Sequence, residues 1–115
     1  MLLGEQASVV EWPEFMPLPA ERVIQGNPTH STVVISDEDR SQFGLWRATP
    51  GSFNTDHKDY LEFVFIIEGR GRLVSQDGSF EELVPGKAAL MPFDWVGRWE
   101  IEETITKAYS IIRAN

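Results

Sequence analysis

The 115-residue sequence contains no cysteine, which excludes disulfide staples and thiolate metal sites. Histidine occurs only at His30 and His57. Basic residues are few: 10 Lys and Arg stand against 18 Asp and Glu, for a formal net charge of -8, and they form no cluster. That balance opposes the counterion release on which affinity for nucleic acid or anionic lipid depends, so neither is an expected partner. The first ten residues show no charged segment followed by a long apolar run, and a soluble cytoplasmic protein is the default expectation. Convincing helical spacing is absent throughout. The length suffices for one core and not for two, so a single domain follows.

What is present centres on Leu61 to Gly71, an apolar, aromatic and β-branched run ending at two glycines. It reads as a buried strand entering a tight turn at Glu68-Gly69. Glu62 shares a strand face with Val64 and Ile66, and burying a carboxylate there requires a hydrogen bond, a cation or a metal. Because Leu61 to Ile67 is apolar on both faces, the second face predicts a homodimer.

Around this stretch the punctuation is regular. Ser31 to Ser36, Phe43 to Thr49, Arg70 to Gln76, Phe80 to Val84, Ala88 to Met91, Trp95 to Ile101 and Thr106 to Arg113 read as separate short strands, with Asn54 to Tyr60 polar and irregular. Asp77-Gly78 between two such runs predicts a hairpin with positive φ at both central residues. Residues 1–30 carry Pro13, Pro17, Pro19 and Pro28 and read as an extended arm packed over an edge or a neighbouring subunit, ahead of an all-β sandwich or barrel over residues 31–115.

Several blocks together resemble a known family. Gly51, Glu62-x6-Gly69 and Gly86-x5-Pro92 ahead of an aromatic strand resemble the two motifs of the cupin superfamily. More narrowly, Arg22-Val23-Ile24-x-Gly26-x-Pro28, Trp46-x3-Pro50-Gly51, Pro92-x4-Gly97-x-Trp99-Glu100 and Lys107-x-Tyr109 look like the subfamily related to the ureidoglycine aminohydrolase cupin domain. The resemblance implies a single-domain jelly-roll β-barrel with an N-terminal arm. It leaves activity open, because the same barrel hosts isomerases, dioxygenases, decarboxylases, sugar binders and storage proteins.

In metal-binding cupins a His-x-His pair and a glutamate come from the first motif and a last histidine from the second. With Glu62 as the glutamate, one count places His57 and Thr55 in the histidine slots and another places Lys58 and Asp56 there; Gly97 occupies the last slot. His57 and Glu62 are thus the candidate metal ligands of an eroded set, and no cofactor is expected unless a divalent metal binds there. Asp56 and Asp59 read most simply as turn residues. Arg98 and Glu100 read as an ordinary solvated face if Gly97 and Trp99 point inward. Glu62 and His57 are the candidate acid/base pair, and Trp46, Tyr60, Trp99 and Tyr109 the candidate ligand-binding side chains. Glycine at 97 beside indoles suggests a hollow barrel. The expected function is binding of a small polar metabolite, a sugar or carboxylate; the alternatives are a small ureidoglycine aminohydrolase-like or isomerase-like enzyme and a structural domain with a filled barrel.

Overall fold

Runs of β-branched and aromatic residues broken by proline and glycine form nine strands and no α-helix in the computed structural model, which describes residues 1–115. The strands are β1 (Met16–Pro17), β2 (Val23–Gln25), β3 (Thr29–Asp37), β4 (Ser41–Ala48), β5 (Gly51–Asp56), β6 (Tyr60–Ser75), β7 (Phe80–Leu83), β8 (Ala88–Met91) and β9 (Val96–Arg113), with one 3₁₀ turn at Ala20–Arg22. Every pairing is antiparallel.

The two long strands, β6 and β9, pair along nearly their whole lengths and organise the rest. The second half of β9 also pairs with β4, which continues to β3 and β1, while the first half of β6 pairs with β8. The first half of β9 pairs with β5, which continues to β2, while the second half of β6 pairs with β7. Two faces of one curled sheet therefore oppose each other. This is the all-β jelly roll that the family resemblance implies, with the core between the faces: Phe53, Leu73 and Trp99 from one, Val64, Ile66, Ile105 and Tyr109 from the other.

The fold line falls where a turn was expected. Register shifts occur between Ile66 and Gly71, and Gly69 takes φ +95°. A Cβ at Gly69 would collide with the Thr104 carbonyl, and one at Gly71 with the Glu100 carbonyl. These glycines let β6 bend against β9 without interrupting it, so Glu68-Gly69 is a bulged bend, not a chain reversal. For the same reason the two strands expected over Trp95 to Ile101 and Thr106 to Arg113 are one, β9, which starts at Val96. Asn54 to Asp56 are likewise not irregular: they complete β5, pairing with Val96 to Arg98, because an edge-to-centre ladder overrides weak local propensity.

The Asp77-Gly78 hairpin is present, with Gly71 to Val74 opposite Phe80 to Leu83. Only Gly78 has positive φ, however (+90°), so the loop is not the two-residue form with both centres left-handed. Gly78 N–H donates to Ser75 C=O (2.9 Å), Ser75 N–H donates to Ser79 C=O (2.8 Å), and Asp77 Oδ1 accepts from both Ser79 N–H and Oγ–H, closing a three-residue loop on one left-handed glycine. Apart from its chain neighbours, no atom lies within 4 Å of where a Cβ at Gly78 would stand, so backbone strain alone opposes substitution. Gly78→Val should therefore cost about 1–3 kcal/mol, and an unchanged melting temperature would contradict that strain.

Along β6, burial alternates: Glu62, Val64 and Ile66 are inside, whereas Phe63 and Phe65 are 45% and 44% exposed. With Phe43, Leu90 and Ile112 they leave apolar side chains on the outer face, the feature on which the homodimer expectation rests. In the N-terminal region, β1 pairs with β3 and β2 with β5. Ser31 Oγ–H donates to the Pro13 carbonyl (2.7 Å), and the Arg47 guanidinium lies 4.3 Å from the centroid of a Trp12 ring. No helix is long and apolar enough to cross a membrane.

Candidate functional site

Cross-strand rows place the site. Thr32, Trp46, Lys107 and Ile66 are register neighbours across β3, β4, β9 and β6, and Gln42, Ile111 and Glu62 form a parallel row. On the opposing face, Phe53 and Trp99 pair across β5 and β9. Period-two alternation turns these side chains into the space between the faces, where all but Ile66, which packs into the core, line a cavity of about 190 Å³. Glu62, His57, Trp46, Tyr60, Trp99 and Tyr109, the six candidates from the sequence, all line it.

Glu62 and Lys107 are the buried charges of this cavity, 6% and 5% exposed. Lys107 Nζ donates to Glu62 Oε2 at 2.6 Å, and lies 4.3, 4.6 and 5.7 Å from the ring centroids of Trp46, Trp99 and Tyr109. Burial, the largest influence, leaves the Lys107 pKa below the usual lysine value, and the Glu62 charge and its hydrogen bond oppose that fall. A carboxylate at hydrogen-bond distance and three ring faces are what stabilise an ammonium out of water. Tyr109 Oη–H donates to Gln42 Oε1 (2.8 Å), an approach made possible by Gly44, where a Cβ would stand 2.7 Å from that hydroxyl. Burial, reinforced by the Glu62 charge, pushes the Tyr109 pKa up to about 12, so the phenol stays a donor.

His57 is held at the β5–β6 turn by backbone: its N–H donates to Trp95 C=O, and its C=O accepts from Asp94 and Tyr60 N–H. Its ring stacks on Tyr60 (4.5 Å, 19°) and meets the edge of Trp95 (5.7 Å, 69°). Nε2 lies 3.6 Å from Glu62 Oε1, and Nδ1 is buried without a hydrogen-bond partner. Burial pushes the His57 pKa below 6.5, with Glu62 opposing and Lys107 adding to the fall; burial likewise lowers His30. As pH falls through about 6.5 the unfolded chain protonates at these positions before the folded one does. Stability is thus fully present above that pH and lost below it. The melting temperature should drop between pH 7 and pH 5.5, and His57→Gln should flatten the slope; an unchanged slope would contradict a neutral buried His57.

The hollow expected at Gly97 needs correction. Gly97 does not open the cavity: a Cβ there would collide with the Val74 carbonyl and the Trp95 ring, whose Nε1–H donates to Ser75 Oγ (2.9 Å). Trp95 fills the space that Gly97 vacates, and neither lines the cavity. Asp59, in the left-handed region at φ +66°, donates its N–H to Asp94 Oδ1 as a turn residue. Arg98 and Glu100 pair with each other at 2.7 Å and remain partly exposed.

The donor set does not fit a metal centre. No three His, Cys, Asp or Glu side chains converge anywhere in the chain: His57 Nε2 and Glu62 Oε1 face each other as two donors alone, and Glu62 Oε2 is bonded to Lys107. Sequence reasoning missed Lys107 and Arg22 as site residues. Lys107 was detectable by parity, since it alternates with Ile105 and Tyr109, both buried; Arg22 reaches the cavity from the 3₁₀ turn, for which no local periodicity exists.

A family model for the EutQ-like cupin domain matches residues 35–109, most of the chain. The chain belongs to this cupin family. No curated protein matches it by sequence. Among solved structures, the cupin is similar to the EutQ protein of Clostridium difficile (15% identity, TM-score 0.66, covering 76% of this chain and 65% of that one). It is also similar to a DUF861-family protein of unknown function from Pseudomonas syringae (19%, 0.78, 90% and 45%) and to ectoine synthase from P. lautus (12%, 0.69, 100% and 80%). The chain thus spans under two thirds of the length of the first two. At these identities the likeness establishes the fold.

Proposed function

We propose that this cupin is a binding module for a small polar metabolite, working without a divalent metal. The observation that carries this reading is the cavity between the sheet faces, where Glu62, Lys107 and His57 are buried beside Trp46, Trp99 and Tyr109. Its volume, below the ~300–1,000 Å³ of most ligand pockets, suits a molecule of few heavy atoms. Indole and phenol walls supply apolar contact, and the charged groups fix orientation. A domain with a filled barrel would leave no such space.

A second reading is favoured by the His57 Nε2 to Glu62 Oε1 approach of 3.6 Å: ureidoglycine aminohydrolase-like or isomerase-like chemistry, with Glu62 and His57 exchanging a proton with substrate. Against it stands the commitment of Glu62 Oε2 to Lys107, which leaves only Oε1 free to meet a substrate.

The test joins metal analysis of protein purified without a histidine tag to a thermal-shift screen of small sugars and carboxylates. A rise in melting temperature with far less than one metal equivalent per chain is expected. Stoichiometric zinc, iron, manganese or nickel would overturn the metal-free reading, and absence of any stabilising small molecule would overturn the binding reading.

A further inference from the structure

The chain is acidic, yet the cavity reverses the balance. Of 18 Asp and Glu residues only Glu62 lines it, whereas Arg22 and Lys107 both do. Two cations against one carboxylate leave one positive charge in excess. Lys107 is paired with Glu62, but Arg22 forms no ion pair although most other arginines do. Its Nε–H donates to the Asn54 carbonyl (2.9 Å), and its guanidinium stands 5.5 Å from the Phe53 centroid. The backbone bond and the ring orient the group, leaving its Nη donors uncommitted. Arg22 is half-exposed at the rim; Lys107 is buried within.

Resting on the binding-module reading, we propose that the cavity recognises a small organic anion, a carboxylate of a few carbons, held between the Arg22 guanidinium at the rim and the Lys107 ammonium inside. A guanidinium presents two parallel N–H groups to a carboxylate, and removal from bulk water strengthens that pairing. Lys107 has three N–H donors and one hydrogen bond, to Glu62, so it can donate to a ligand oxygen without releasing the carboxylate. Both histidines are kept neutral, chiefly by burial, and Arg22 adds to the fall at each; it also works against the rise that burial gives Tyr60. The Arg22 field therefore reaches groups around the cavity. A sugar would leave the excess charge unanswered.

The test compares acids with amides of equal size, L-lactate with lactamide and propionate with propionamide, by calorimetry and thermal shift. The acids should bind at least about tenfold tighter, a difference of ~1.4 kcal/mol. Binding of the acids should weaken as sodium chloride is raised. Arg22→Gln should abolish the preference and Arg22→Lys retain part of it, with melting temperatures close to the parent because Arg22 lies at the rim. Equal binding of acid and amide, survival of the preference in Arg22→Gln, or no binding of either acid would overturn the proposal. Erythritol and glycerol separate the two levels: stabilisation by these with none by the acids refutes the anion and leaves the binding module standing, whereas no stabilisation by any of the compounds refutes both.

Discussion

Lys107→Met should destabilise the fold by about 3–5 kcal/mol near pH 8, because it leaves the buried Glu62 carboxylate without its cation. Methionine fills much of the lysine stem, so lost packing contributes little, and the effect isolates the charge. The variant has one route to relief. His57 Nε2 is 3.6 Å from the other Glu62 oxygen, and Lys107 is among the charges that hold the imidazole pKa down. Without it, His57 should titrate at higher pH and take over as the partner, so the variant should regain stability as pH falls through the raised pKa and lose it again above. Proton NMR of the imidazole and melting curves between pH 6 and pH 8 would check both parts. Removing both charges, in Glu62→Met/Lys107→Met, should recover most of the loss, since a buried ion pair exchanged for apolar groups is often neutral or stabilising. A double variant as unstable as the sum of the singles would show that neither side chain is harmed by losing the other.

That pair also marks how far the sequence could be read. Glu62 was identifiable because a carboxylate at an inward position among Val64 and Ile66 needs compensation, and the need is local. Its partner is 45 residues away in sequence, and only the β6–β9 register, displaced by bulges, brings the two strands together so that the side chains meet. The same limit governs the fold. Alternation and turn chemistry identify strands, hence an all-β sandwich or barrel that the family resemblance narrows to a jelly roll, but they treat every glycine as an end; the bend at Gly69 and Gly71 depends on the approach of Thr104 and Glu100 backbone, which no local pattern encodes. Gly97 shows the converse error. A missing side chain suggests space, and whether space remains depends on a neighbour, here Trp95, settling into it.

Trp99→Ala should cost about 3–5 kcal/mol, the range for deleting a buried aromatic ring from a core that cannot fully collapse. The indole is 3% exposed, tilted against Trp46 at 5.2 Å and stacked on Phe53 at 6.4 Å, so three rings from β4, β5 and β9 support one another across the two sheet faces. Collapse is resisted because β9 is paired on both sides at this point, with β5 and with β6, and its backbone cannot move inward without breaking two ladders. The loss has an electrostatic part as well: the ring centroid is 4.6 Å from Lys107 Nζ, and such a contact stabilises a desolvated ammonium by about 2 kcal/mol. Trp99→Phe should therefore recover much of the packing and less of the cation contact, and its stability should lie between those of the parent and the alanine variant. Added indole should raise the melting temperature of Trp99→Ala and not that of the parent, because an apolar cavity left by a ring accepts a ring. A loss under about 1 kcal/mol in Trp99→Ala would mean that the two faces close over the gap, and that the cavity walls are far more pliable than paired strands on both sides of β9 allow.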